Sequence, residues 1–127
     1  MPKRSKKNLL IVPVGKGDRQ AELVGRLRIA CPRADIIAAH GFMDTLHKVG
    51  SKRFSAIVLI SHERYSVRLA AFGITLERGG YKADDLFLWR AGEPRLVERS
   101  GFGNVFLHDE IDALTERIAD KINSPDA

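Results

Sequence analysis

Leu9-Leu-Ile-Val12 is an unbroken apolar run containing β-branched residues, and its reading decides the fold. A strand that is apolar on consecutive residues is covered on both faces, as in a parallel sheet sandwiched between helices. Downstream, the glycines of Val14-Gly-Lys-Gly-Asp18 break the strand, and Asp18 is placed to cap a helix. Leu23, Val24, Leu27, Ala30 and Cys31 then fall at helical spacing, and Pro32 stops the helix. Ala34 to Ala39 forms a second short strand, ended by His40-Gly41. Phe42, Met43, Leu46 and Val49 define a second amphipathic helix, with Gly50 at its expected stop. Phe54-Ser-Ala-Ile-Val-Leu-Ile60 repeats the pattern of the first strand. Arg64 to Arg78 is a third helix, ended by Gly79-Gly80. Leu86-Phe-Leu-Trp89 and Asn104-Val-Phe-Leu107 are strands four and five. Between them, Ala91 to Gly103 holds Pro94 and three glycines and leaves room only for a short helix around Leu96 and Val97. Asp109 opens the last helix, with Ile111, Leu114, Ile118 and Ile122 on one seam.

Strands alternating with helices predict a doubly wound α/β/α sandwich. Its five-stranded parallel sheet takes the flavodoxin-like order 2-1-3-4-5. Residues 8–122 form this domain, residues 1–7 a disordered basic tail and residues 123–127 a loose C-terminal tail. The chain has 127 residues, 44% of them hydrophobic and 29% charged. That is one domain with a real core. No apolar run approaches the roughly 20 residues of a membrane span, and the stretch after the basic N-terminus is too short for a signal peptide. A cytoplasmic location is expected. The single cysteine excludes an internal disulfide and a multi-cysteine metal site; Cys31 reads as a buried, inert thiol. The net charge of +5 raises the possibility of nucleic-acid binding. Four of those charges lie on Lys3, Arg4, Lys6 and Lys7, so the folded body is close to neutral.

The chain resembles the receiver domain of two-component response regulators over residues 8 to 122. Leu9 to Leu23 is similar to the receiver opening, in which a hydrophobic strand runs into an acidic pair and a helix. Ser55-Ala-Ile-Val-Leu-Ile-Ser61 is similar to the strand that ends in the phospho-accepting aspartate. Leu86-Phe-Leu-Trp-Arg-Ala91 resembles the strand ending in a Thr/Ser-Ala pair, and Phe106 to Ile118 the final strand and helix. The resemblance places the acidic pair at Pro13 and Val14, the aspartate at Ser61, the Thr/Ser switch at Arg90 and the lysine near Leu107. None carries the family's residue. Mg²⁺ needs oxygen ligands, and the side chains of Pro13 and Val14 supply none. The implied function is a pseudo-receiver in signalling, not phosphorylated on aspartate, with no cofactor or metal, that acts by contact with a protein. Its helix-four, strand-five, helix-five face, Leu96 to Asp120 here, is the implied surface for a partner or for homodimer formation.

Two other functions stand beside this one. Ligands of such sheets bind beyond the carboxyl ends of the strands. Lys16, Asp18, Ser61, His62, Arg90 and His108 fall there, as a small-ligand or nucleotide-binding site or an enzyme's site would require. His40 falls there too, but strand spacing puts it about 19 Å from His108, so the two cannot share a metal. His62 and His108 are the one pair of strand-end histidines close enough to converge. Val14-Gly-Lys-Gly-Asp18 lacks the spacer and ending of a Walker loop and reads as a tight turn. Ser61 and His62 point to opposite sides and are not a nucleophile–base pair. Trp89, Phe87 and Tyr81 read as core or edge aromatics, not as a stacking platform for bases. The second alternative is nucleic-acid binding through the basic N-terminal tail.

Overall fold

A computed structural model of the chain describes residues 7–14, 19–61, 67–91 and 103–124. Strands β1 (Asn8–Val14), β2 (Asp35–Ala38), β3 (Ala56–Ser61), β4 (Leu86–Arg90) and β5 (Asn104–Phe106) alternate with helices. Helices α1 (Gln20–Ala30), α2 (Phe42–Ser51) and α3 (Val67–Arg78) follow the first three strands, and α4 (Ile111–Asn123) follows the last. A 3₁₀ turn at Ala83–Asp85 leads into β4. The five strands make one sheet in the order β2-β1-β3-β4-β5, with every pairing parallel. This is the expected order.

Side chains alternate across a strand, and the two faces of the sheet carry separate cores. Leu9, Ile11, Val58, Ile60, Phe87 and Trp89 pack beneath α1 and α4 against Leu23, Leu27, Leu114 and Ile118. Leu10, Val12, Val14, Ile57, Leu59 and Leu88 pack on the opposite face against Phe72 and Leu76 of α3, with Val49 of α2 at the margin. Residues 9–12 and 56–60 are wholly buried, because β1 and β3 lie inside the sheet with a helical layer on each side. The apolar runs in the sequence have this cause. Across the first face, Arg26 of α1 also pairs with Asp112 of α4.

Several boundaries differ from the sequence reading. Helix α2 continues through Gly50 to Ser51. The Lys52 N–H still donates to the Lys48 carbonyl at 3.1 Å, and the Ser51 hydroxyl donates to the same oxygen. Helix α4 begins at Ile111, not at Asp109. The Glu110 carboxylate accepts from the Leu107 N–H at 2.7 Å and holds residues 107–110 in a turn before the helix. Helix α4 also runs through Asn123, where the sequence suggested a loose tail. Arg19, one residue after Asp18, is the N-cap of α1 and makes no side-chain capping bond. Lys7, assigned to the tail, is joined to the body: its carbonyl accepts from Asp35 and its ammonium donates to the Ser124 carbonyl at 2.5 Å. The expected short helix around Leu96 and Val97 lies outside the described residues, as do Lys16 and Asp18.

Two glycines have structural reasons. Gly80 closes α3 with φ at +92°; its N–H donates to Glu77 while Tyr81 N–H reaches back to Leu76. This paired closure needs a left-handed residue, which glycine adopts without strain. Gly103 passes against the 3₁₀ turn, donating to the Ala83 carbonyl at 2.8 Å. A Cβ there would lie 2.5 Å from that oxygen.

Candidate functional site

Strand register brings the predicted positions together. Val14 pairs with Ser61, and Ser61 pairs with Arg90, so the three form one row across the carboxyl ends of β1, β3 and β4. Trp89 pairs with Phe106, which sets Leu107 beside the same row just past the end of β5. Pro13 lies one row back, opposite Ile60, and is half-buried. Alternation assigns the row to a face. Val14, Ser61 and Arg90 follow Val12, Leu59 and Leu88 at a two-residue step, and those three belong to the core beneath α2 and α3. Val14 is 2% exposed, Ser61 1% and Arg90 2%. The row thus contains a buried hydroxyl and a buried guanidinium on adjacent strands, and none of its members is a carboxylate.

The opposite face of the same strand ends is organised by Arg19, a residue the sequence reading did not single out. Its guanidinium lies 4.4 Å from the centroid of the Trp89 ring, which is fully buried. Its Nη1 donates to the Ala91 carbonyl at 3.1 Å and to the His108 carbonyl at 2.6 Å. Nε and Nη2 donate to the Glu22 carboxylate, and the hydrogen bond from Arg19 holds that carboxyl below the ordinary range. Trp89 donates its indole N–H to the Leu107 carbonyl at 2.9 Å. One side chain from the start of α1 therefore ties together the exits of β4 and β5. A pattern signal for Arg19 was absent, because a lone arginine at a helix start looks like any solvated charge.

The remaining candidates are dispersed. His62 lies outside the described residues. His108 is half-exposed, its Nδ1 4.0 Å from an Asp109 oxygen. His40 follows β2, at the far edge of the sheet from β5, so it stands apart from His108 as the strand order implies. The His40 N–H donates to Asp44 at 2.7 Å. A hydrogen bond from Lys48, and then this one, lower the Asp44 pKa. Among the described residues no group of three or more His, Cys, Asp or Glu could hold a metal ion. Cys31 is buried, its thiol donates to the Leu27 carbonyl at 3.1 Å, and burial pushes its pKa up; that is an inert thiol. Trp89, Phe87 and Tyr81 are all buried. At the amino end of the sheet a cleft of about 260 Å³ opens over Phe87 and Asn104, with Arg117 and Lys121 on its α4 wall. On that wall Lys121 meets Asp85 at 2.8 Å and Asp84 at 3.8 Å.

This chain is similar in structure to a response regulator from Burkholderia pseudomallei determined with a phosphorylated aspartic acid, calcium ion and citrate. The TM-score is 0.60 at 14% identity, covering 94% of this chain and 72% of that one. The fold is flavodoxin-like. A 3-dehydroquinate dehydratase-like protein from Bifidobacterium longum is similar at TM-score 0.57 and 7% identity, over 94% and 97% of the two chains. The E. coli constitutive lysine decarboxylase is similar at TM-score 0.55 and 13% identity. That match covers 91% of this chain, which spans only 17% of the decarboxylase. No protein-family model matches the sequence, and no curated protein matches it. Proteins with these different names share one fold, so function has to be argued from the site. Among the described residues no helix is long and apolar enough to cross a membrane.

Proposed function

We propose that this chain is a degenerate receiver: a regulatory module that carries no aspartyl phosphate and acts by contact with a protein partner or a second copy of itself. The observation that carries this reading is the row Val14, Ser61 and Arg90 at the carboxyl ends of β1, β3 and β4. In a receiver that edge holds a divalent cation on carboxylates and an aspartate that takes the phosphoryl group. Here a buried guanidinium and a buried hydroxyl occupy it. The row offers no carboxylate to Mg²⁺, and a serine hydroxyl cannot form an acyl phosphate. The fold likeness to a response regulator supports the same reading.

The contact surface we assign is the face implied by the resemblance, whose described part is β5 and α4. Helix α4 turns Ile111, Leu114, Ile118 and Ile122 inward and leaves Asp112, Glu116, Arg117 and Asp120 exposed. A charged face of this kind suits a reversible contact better than an obligate one. The test is incubation with acetyl phosphate and Mg²⁺, read by intact-mass spectrometry. We expect no added phosphoryl group. A stable, Mg²⁺-dependent aspartyl phosphate would overturn the reading. For the contact itself, Glu116→Lys with Asp120→Lys should weaken self-association or partner capture, with sedimentation of the purified chain as the readout.

A further inference from the structure

We infer that the amino end of the sheet is a docking face for the phosphate backbone of a nucleic acid, formed by exposed cations of the folded body together with the basic residues that precede β1. This goes beyond the proposed regulatory role and does not rest on it.

Three observations converge. The first is where the charge lies. The folded body is close to neutral in total, but its cations are not evenly matched. Arg28 in the last turn of α1, Arg33 before β2, Lys52 before β3, Arg78 at the end of α3 and Lys82 before β4 are all exposed. None of these five makes an ion pair among the described residues. By contrast, Arg19 is matched by Glu22, Arg26 by Asp112 and Lys48 by Asp44. Of the described carboxylates at the amino end, Asp84 and Asp85 are engaged by Lys121, which leaves Asp35, Glu77 and Asp120 against the unpaired cations.

The second is that the face is continuous and braced. Strand order sets the segments that precede β2, β1, β3 and β4 side by side. The Asp35 N–H donates to the Lys7 carbonyl and the Ser55 N–H to the Asn8 carbonyl. The Arg53 guanidinium donates to the carbonyls of Gly79 and Gly80 at 3.4 and 3.2 Å and stacks on Tyr81. It serves as a brace between the segments that carry Lys52, Arg78 and Lys82. From β2 to β4 the face spans three strand spacings, about 14 Å. The third is where the basic start of the chain is attached. Lys7 is bonded to Asp35 and to Ser124 at this end, so Lys3, Arg4 and Lys6 join the body here, within about 14 Å of chain.

The chemistry selects the partner. Exposed cations without carboxylates suit a polyanion, and guanidinium forks match pairs of phosphate oxygens. A duplex offers one phosphate charge per about 1.7 Å of its axis, so a face of about 14 Å meets about eight of them whatever the base sequence. Tyr81 and Phe87 at this end are buried, which fits contact with the backbone and not stacking on unpaired bases. A lipid surface is the poorer match, because stable attachment takes an apolar anchor beside the charge. Phe42 and Met43, exposed at the start of α2, stand at the opposite end, and among the described residues only Ile29 is a large exposed hydrophobe near the face.

Fluorescence anisotropy of a labelled duplex of about 20 base pairs, titrated with the full chain from about 50 to about 200 mM sodium chloride, tests this. We expect a dissociation constant on the order of 1–100 μM and a linear fall of log affinity with log salt. Arg33→Gln with Arg78→Gln should reduce that slope by about 1.8, since each lost phosphate contact removes about 0.9, and weaken binding at least about tenfold. Lys52→Gln with Lys82→Gln should act in the same direction and keeps the test valid if the first pair fails to fold. Arg26→Gln with Lys48→Gln removes the same charge from matched positions and should leave the slope unchanged. A chain lacking residues 1–6 should bind more weakly and keep its sensitivity to the face variants. The inference is overturned by the absence of salt-dependent binding, by an equal response to the Arg26 and Lys48 pair, or by binding that only the truncation weakens. Tighter binding to phosphatidylcholine–phosphatidylserine vesicles than to the duplex at the same salt also overturns it. Neither aspartate phosphorylation nor the α4 contact is read in this assay, so the proposed function stands or falls separately.

Discussion

Replacing Arg19 with alanine removes a side chain that links the start of α1 to the exits of β4 and β5. Three interactions go with it. The stacking of the guanidinium on Trp89 is worth about 1 kcal/mol at a partly desolvated site. The hydrogen bonds to the carbonyls of Ala91 and His108 involve a charged donor, for which about 1.5–3 kcal/mol each is typical. They share one guanidinium and are not additive, so the expected total is about 3 kcal/mol. The side chain is only 26% exposed, so solvent screening takes away little of this. In a domain of this size the loss corresponds to about 10 °C in melting temperature. The assay is available within the chain, because Trp89 is its only tryptophan. Urea unfolding followed by Trp89 fluorescence gives the stability change, and the native emission should shift to the red as the ring loses its cover. Arg19→Met separates the terms: it restores an apolar cover over the ring without the donors, and should recover about 1 kcal/mol. Glu22→Gln should change stability by less than about 0.5 kcal/mol, since that pair is exposed. An Arg19→Ala variant within about 0.5 kcal/mol of the parent, with unchanged emission, refutes the reasoning.

Two further outcomes follow from particular contacts. Gly103→Ala places a Cβ 2.5 Å from the Ala83 oxygen and 2.8 Å from its carbonyl carbon; both are backbone, so the turn must shift, costing about 1–3 kcal/mol in chemical denaturation. Asp85 governs an acid-sensitive step. Burial raises its pKa, but hydrogen bonds from the Lys121 ammonium and the Lys82 N–H outweigh it, and the net value lies below the ordinary 3.8. A carboxyl depressed in the folded state stabilises fully above its unfolded value and loses that contribution as pH falls through the folded one. Stability should therefore decline from about pH 4 downward, and Asp85→Asn should flatten that part of the profile; an unchanged profile would count against the Lys121–Asp85 contact.

The fold was legible because burial on both faces leaves a mark in sequence. Leu9 to Val12 and Phe54 to Ile60 have no polar alternation, and two strands of that kind joined by amphipathic helices admit few architectures. The element ends were less legible. Gly50 looked like a stop, but a glycine inside a helix costs only about 1 kcal/mol, and the bonds from Lys52 and Ser51 to Lys48 carry the last turn past it. Asp109 looked like a helix cap, but the bond from Leu107 to the Glu110 carboxylate moves the start to Ile111. The strand-end positions Val14, Ser61 and Arg90 could be proposed from the resemblance. Their alignment in one row could not, since register between strands distant in sequence is set by packing. The role of Arg19 depends on carbonyls 72 and 89 residues away, and no local pattern encodes that.

Trp89 and Arg90 show how much the end of β4 constrains. They are consecutive, so they point to opposite faces of the sheet. Trp89 meets the Arg19 guanidinium beneath α1 and α4, while Arg90 is enclosed beneath α2 and α3. Each face at this edge thus holds an arginine. Replacing Arg90 with threonine would not recreate the switch. It would empty the volume of one of the largest buried side chains and leave Val14 and Pro13 still without oxygen ligands. Introducing an aspartate at Ser61 alone would set one carboxylate in the same row as Arg90, with no second carboxylate there to complete a cation site. Under the proposed reading, the departures at Pro13, Val14, Ser61, Arg90 and Leu107 support one another: no single reversion supplies the set of oxygen ligands that a divalent cation needs.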